Sequence, residues 1–130
     1  MPLGTNRLAD NGHRQIFVAT GTGLAPFLPM FRALVETGRL DRAELYFGCR
    51  NKEEDITLGF AGSLPKTVRC FSRAGADAPD IAGRVTDALA GLAFDPVETD
   101  FYVCGAAAMV TDVRTILQRA GAISILTEPY

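Results

Sequence analysis

Directly after the apolar run of residues 15–20 comes Thr20-Gly21-Thr22-Gly23-Leu24-Ala25-Pro26, an order of residue types suited to holding a bulky anion. Two glycines let the backbone turn tightly and approach a ligand closely. The helix that follows offers N–H groups with no intrahelical partner, at the positive end of its dipole. Proline in a first helical turn gives up only a donor that would be orphaned anyway. A second proline, Pro29, places the start of the regular helix at about Leu28. Taken alone, the turn reads equally well as a tight bend that holds nothing. It also departs from two common phosphate loops. The G-x-G-x-x-G fingerprint wants a third small residue where Pro26 stands and an acidic residue after the second strand, but that strand ends Gly48-Cys49-Arg50. The Gly-Lys-Ser/Thr of a P-loop is absent.

Other residues with phosphate or cofactor chemistry also follow apolar runs. Arg50 closes one, and Ser72 and Arg73 close another. A hydroxyl beside a guanidinium makes a phosphate seat, since Arg donates to two oxygens at once and Ser to a further one. The competing reading is a set of surface residues in polar loops. Cys104-Gly105 ends a further run and leads into a helix whose first turns carry Met109, and a glycine there lets a flat ligand lie against the backbone.

The elements that must position these residues follow from periodicity. Five apolar runs read as strands: residues 15–20, 43–49, 67–72, 100–105 and 122–127. Most are continuous rather than alternating, as in strands covered on both faces. Helical spacing fits 27–37, a short piece near 53–60, 85–92 and 106–120. In the last of these Met109, Val110, Val113, Ile116, Leu117 and Ala120 share a face, and Gly121 supplies the stop. Strands alternating with helices imply right-handed crossovers. The predicted fold is therefore α/β, an open doubly wound parallel five-stranded sheet flanked by helices. Ligands of such sheets bind beyond the carboxyl ends of the strands, near the switch in strand order.

With 130 residues, 48% of them hydrophobic and 22% charged, the chain is sized and composed for one globular domain. A net charge of -2 gives no basic surface for nucleic acid. The longest apolar region, 16–35, is broken by Gly21, Gly23, Pro26, Pro29 and Arg32, so no membrane span is expected. Cys49, Cys70 and Cys104 lie 21 and 34 positions apart and His13 is the only histidine, which gives no metal or cluster spacing. An odd cysteine count without a visible signal peptide fits reduced thiols and a cytoplasmic location. Cys49 and Cys70 read as small apolar strand residues.

Four segments recur together and in order: VATGTGLAPFLPMFRAL, LYFGCRNKEEDI, GRVTDAL and FYVCGAAAMVTDVRTILQRAG. Together they resemble the nicotinamide-nucleotide domain, C-terminal in its proteins, of the ferredoxin-NADP reductase superfamily, which includes reductase components of oxygenases. The likeness spans nearly the whole chain. It implies a Rossmann-like domain over 14–130 that binds NAD(P)H. Thr20, Gly21, Thr22 and Gly23 would receive the pyrophosphate, and Pro26 would close the turn. Gly48 and Arg50 match positions lining the adenine nucleotide half. Ser72 and Arg73 resemble the pair that seats the 2'-phosphate in NADPH-using members, which tilts the choice slightly toward NADPH. Cys104 and Gly105 match the pair beside the nicotinamide ring, and Met109 the methionine a turn later. Where the family has proline after that glycine, this chain has Ala106.

Both ends add to the resemblance. PLGTNRL at 2–8 resembles the last strand of a flavin-binding barrel, so 1–13 is expected to be the end of that barrel or a linker. TEPY at 127–130 resembles the segment whose acidic residue and terminal aromatic lie near the flavin, positions matched by Glu128 and Tyr130; the competing reading is a frayed tail. The implied reaction is hydride transfer from the nicotinamide to FAD or FMN on a barrel domain outside these residues. Electrons then pass to an acceptor protein such as a ferredoxin or an oxygenase component. Cys104 would position the ring rather than attack, and Tyr130 would cover the flavin. Without a barrel, the chain is expected to bind nucleotide weakly and to be redox-silent. The alternative is a redox-inactive nucleotide-sensing or protein-interaction module on the same fold.

Overall fold

A computed structural model describes residues 12–60, 62–72 and 81–129. Among them run β1 (Arg14–Thr20), α1 (Leu28–Glu36), β2 (Ala43–Cys49), β3 (Lys66–Phe71), β4 (Ile81–Ala82), α2 (Val85–Leu89), β5 (Thr99–Gly105), α3 (Ala107–Arg119) and β6 (Ser124–Pro129). The strands form one sheet in the order β4-β3-β2-β1-β5-β6, and every pairing is parallel. The five expected strands are all present. A two-residue β4 extends the edge beside Cys70 and Phe71.

Burial explains why β1 and β5 sit at the centre. Five consecutive residues of β1 and all seven of β5 are buried, the signature of strands covered on both faces. The pleat sends alternate residues to opposite layers. Phe17 and Ala19 face α1 and the turn before it, where Phe27, Met30, Phe31 and Leu34 meet them. Ile16 and Val18 face α2 and α3, against Val85, Leu89, Val113 and Leu117. The Phe17 ring stacks on Tyr102 with centroids 4.8 Å apart and meets Phe31 edge-on at 4.8 Å. Such pairs add stability beyond the area they bury.

The last strand begins later than the apolar run suggests. Gly121, at φ 98°, ends α3, and the Ala122 N–H still donates to the Leu117 carbonyl at 2.9 Å. The helix exit thus consumes the two residues that would open the strand, and Ile123 is left 72% exposed. The segment expected to be helical near 53–60 is two short 3-10 turns, Lys52–Glu54 and Ile56–Phe60. None of the described helices is long and apolar enough to cross a membrane.

The sheet order creates the site. From β1 the chain steps outward through β2, β3 and β4, then returns to the other side of β1 with β5 and β6. The connections leaving β1 and β5 therefore diverge, and ligands of such sheets bind beyond the strand ends near this switch.

Candidate functional site

The turn after β1 is shaped by two glycines with different duties. Thr20 is extended, and Gly21 takes φ 52°, a left-handed angle that favours glycine. A 3-10 helix then spans Gly21–Phe27 with Pro26 inside it, and α1 starts at Leu28 with Pro29 in its first turn. Gly23 is required by contact rather than angle. A Cβ there would stand 2.3 Å from the Cys104 carbonyl oxygen and 2.9 Å from the Gly105 Cα. The turns after β1 and β5 are thus in backbone contact, and only a residue without a side chain fits between them.

Gly105 and Gly48 extend the same close packing. A Cβ on Gly105 would lie 2.4 Å from Thr20 Oγ1 and 2.5 Å from the Met109 methyl. One on Gly48 would meet Val85 Cγ1 at 3.0 Å and Thr20 Cγ2 at 3.1 Å. Small residues let four strand ends and two helix starts converge on one cavity of about 490 Å³, a size typical of small-molecule sites.

Thr20, Gly21, Gly48, Arg50, Ser72 and Met109 all line this cavity. Gly23, Cys104 and Gly105 form the buried layer behind it, with Cys104 only 2% exposed. Thr22 is exposed and does not line it, and Pro26 is half-buried within the 3-10 helix. Arg73, Tyr130 and the 2–8 segment lie outside the described residues. Glu128 pairs in register with Cys104 across β5 and β6.

The electrostatics separate roles. Burial first, and the nearby Glu128 charge second, push the Cys104 thiol up to about 11. The thiol is therefore protonated at neutral pH and a poor nucleophile. Cys49, at the cavity wall, is likewise pushed up to about 11, chiefly by burial and then by Asp55 and Glu54, while its Sγ donates to the Asn51 carbonyl at 3.2 Å. The Arg50 Nε donates to both oxygens of Glu54, at 2.6 and 2.8 Å, and this bond holds the guanidinium in its charged form.

Sequence reasoning did not single out Glu54, Arg84, Thr86 or Asp112, which also line the cavity. Arg84 precedes α2, and its backbone N–H donates to the Asp87 carboxylate at 2.8 Å. The GRVTDAL segment was the available signal, but nothing in its local pattern shows that α2 begins at the rim of a site built by β1 and β2. Glu54 belongs to a polar stretch that reads as an ordinary solvated turn. Ala106 takes φ −58° and ψ 140°, angles open to the proline found there in the family pattern, so the substitution leaves the turn's shape intact.

Residues 17–115 match the oxidoreductase NAD-binding domain family. The chain is 31% identical over 129 residues to the ferredoxin--NAD(P)(+) reductase component of naphthalene 1,2-dioxygenase/salicylate 5-hydroxylase systems from a Ralstonia species, a match covering 94% of the chain and 39% of that relative. It is 33% identical over 121 residues to the ferredoxin--NAD(+) reductase component of an alkene monooxygenase system from Xanthobacter autotrophicus, covering 86% of the chain and 37% of the relative. In structure it resembles a ferredoxin NADP+ reductase from Neisseria gonorrhoeae with bound FAD and NADP, with TM-score 0.78, 24% identity, and coverage of 92% of the chain and 57% of that protein. The chain spans about two-fifths of the length of these two sequence relatives.

Proposed function

Since the chain belongs to the oxidoreductase NAD-binding domain family, we propose that its cavity takes the adenine nucleotide half of NAD(P)H and that the β5 turn presents the nicotinamide to a flavin on another domain. The observation that carries this reading is the convergence of four separate sequence segments on one cavity at the reversal of strand order. The bound cofactors supply the redox chemistry, a hydride passing from reduced nicotinamide to flavin. The chain's own residues bind and orient.

Gly21 and Thr20 open the turn that receives the pyrophosphate, with Thr22, Gly23 and Pro26 fixing its course. Gly48 and Arg50 are assigned to the adenine nucleotide half, and Ser72 with Arg73 to the 2'-phosphate of NADPH. Cys104, Gly105 and Met109 form the floor under the nicotinamide, and the protonated thiol donates or packs without attacking. Glu128 and Tyr130 are assigned to the flavin side. Residues 1–13 are assigned to the end of a flavin-binding barrel or to a linker. The relatives' names, ferredoxin reductase components of oxygenase systems, support a reductase component that passes electrons to an acceptor protein such as a ferredoxin or an oxygenase component; we assign its action to the cytoplasm.

The test is a titration of the purified chain with AMP and NAD(P)+, followed by amide NMR shifts. Shifts concentrated at Thr20, Gly21, Gly48, Arg50 and Ser72 are expected, with no flavin retained and no diaphorase turnover. Shifts confined to another face, or none at millimolar ligand, would overturn the assignment.

A further inference from the structure

We propose that Glu54 acts as a charge filter that disfavours a nucleotide carrying a 2'-phosphate on its ribose. The inference rests on the nucleotide reading of the cavity and names a selecting residue within it. Arg50 is the cation at the end of β2, and both oxygens of Glu54 already accept from its Nε, at 2.6 and 2.8 Å. Both side chains line the cavity that also contains Ser72. Arg84 and Asp112 line it too, so the described lining carries two cations and two carboxylates and no formal excess of positive charge. A phosphate dianion seated at Arg50 and Ser72 must share its guanidinium with a carboxylate. A ribose hydroxyl meets no such opposition and can donate to that carboxylate.

Glu54 cannot readily retreat. Its own N–H donates to the Asn51 side-chain oxygen at 3.2 Å and to the Asn51 carbonyl at 3.1 Å. The next residue, Asp55, has a buried side chain held by Arg69 of β3 at 3.1 Å. The carboxylate therefore sits on a segment anchored at both ends, which keeps its charge at the rim. Arg50 and Glu54 are 61% and 32% exposed, so water screens the effect and its size is modest. Whatever preference Ser72 and Arg73 lend to a phosphorylated ribose works against this charge.

Calorimetric titration with AMP and with 2'-phospho-AMP at low salt gives a ratio of two affinities for each protein. Glu54→Gln is expected to shift that ratio about 3- to 5-fold toward the phosphorylated ligand, and the shift should shrink at high salt. Glu54→Asp, which keeps the charge, should retain the original ratio. A ratio that moves by less than about 2-fold in Glu54→Gln, or moves equally in Glu54→Asp, overturns the filter while leaving the nucleotide site standing. If the unsubstituted chain binds neither ligand, the nucleotide reading fails and the filter with it.

Discussion

Cys104 is the residue whose chemistry the structure constrains most tightly. A thiol held at about 11 by burial and by Glu128 has almost no thiolate at neutral pH, so it suits contact with a ring and not covalent catalysis. Glu128→Gln removes the second of these causes and lowers the thiol's pKa toward its ordinary value. Alkylation of Cys104 by iodoacetamide at fixed pH should then quicken, by about 2- to 3-fold, with burial still limiting the rate. An unchanged rate would mean that the Glu128 charge does not reach the sulfur. Gly23 gives a second test at this scale. Because an added methyl would collide with the Cys104 carbonyl, Gly23→Ala should cost about 1–3 kcal/mol in urea unfolding and should weaken nucleotide binding, since the turns after β1 and β5 must part to admit it. The glycines were legible in the sequence as turn residues. Which of them serves an angle and which a contact was not, because the contact of Gly23 is with Cys104 and Gly105 at the end of β5, far along the chain.

At the scale of elements, the loop after β2 depends on a partner that no local pattern predicts. Arg69 of β3 reaches the Thr57 hydroxyl at 2.9 Å and the Asp55 carboxylate at 3.1 Å, while Asp55 accepts from the Thr57 N–H at 2.9 Å. Asp55 is 2% exposed at its side chain and Thr57 fully buried. Arg69→Met would leave a buried carboxylate without its cation, so a loss of about 3–5 kcal/mol is expected. The double variant Arg69→Met/Asp55→Asn should recover part of it in the same denaturant titration. Full additivity of the two changes would remove the case for coupling. The strands were legible because continuous burial leaves continuous apolar runs, and α3 because its apolar face repeats at helical spacing. The boundaries of β6 and the 3-10 turns after β2 were not, since a hydrogen bond from Ala122 back into α3 and the Asp55–Arg69 pair decide them. At the opposite turn, Ala106 already holds proline's φ, so Ala106→Pro should raise stability by about 0.4–1 kcal/mol, read as a higher melting midpoint.

For the whole molecule, the two-sided core that makes a parallel sheet possible also places its thiols where ionisation is resisted. Cys49 and Cys104 both stand near 11 in the folded chain, against an ordinary value of 9.0, and burial raises Tyr46 above its ordinary 10.0 as well. Below the ordinary thiol value both states keep these protons, and the contribution to stability is fully present. As pH rises past it, the unfolded chain releases protons that the folded chain retains, so the unfolded state gains and stability falls until the folded groups also ionise. The urea midpoint is therefore expected to decline from about pH 8 to about pH 11, with Tyr46 adding to the fall at the upper end. A Cys49→Ala/Cys104→Ala variant should show a shallower decline over the same interval even though the lost packing lowers its midpoint throughout. Parallel curves for the two proteins would mean that the thiols do not drive the alkaline loss. In that case the buried sheet ends would be more open to water than their packing against Gly23, Gly48 and Gly105 requires.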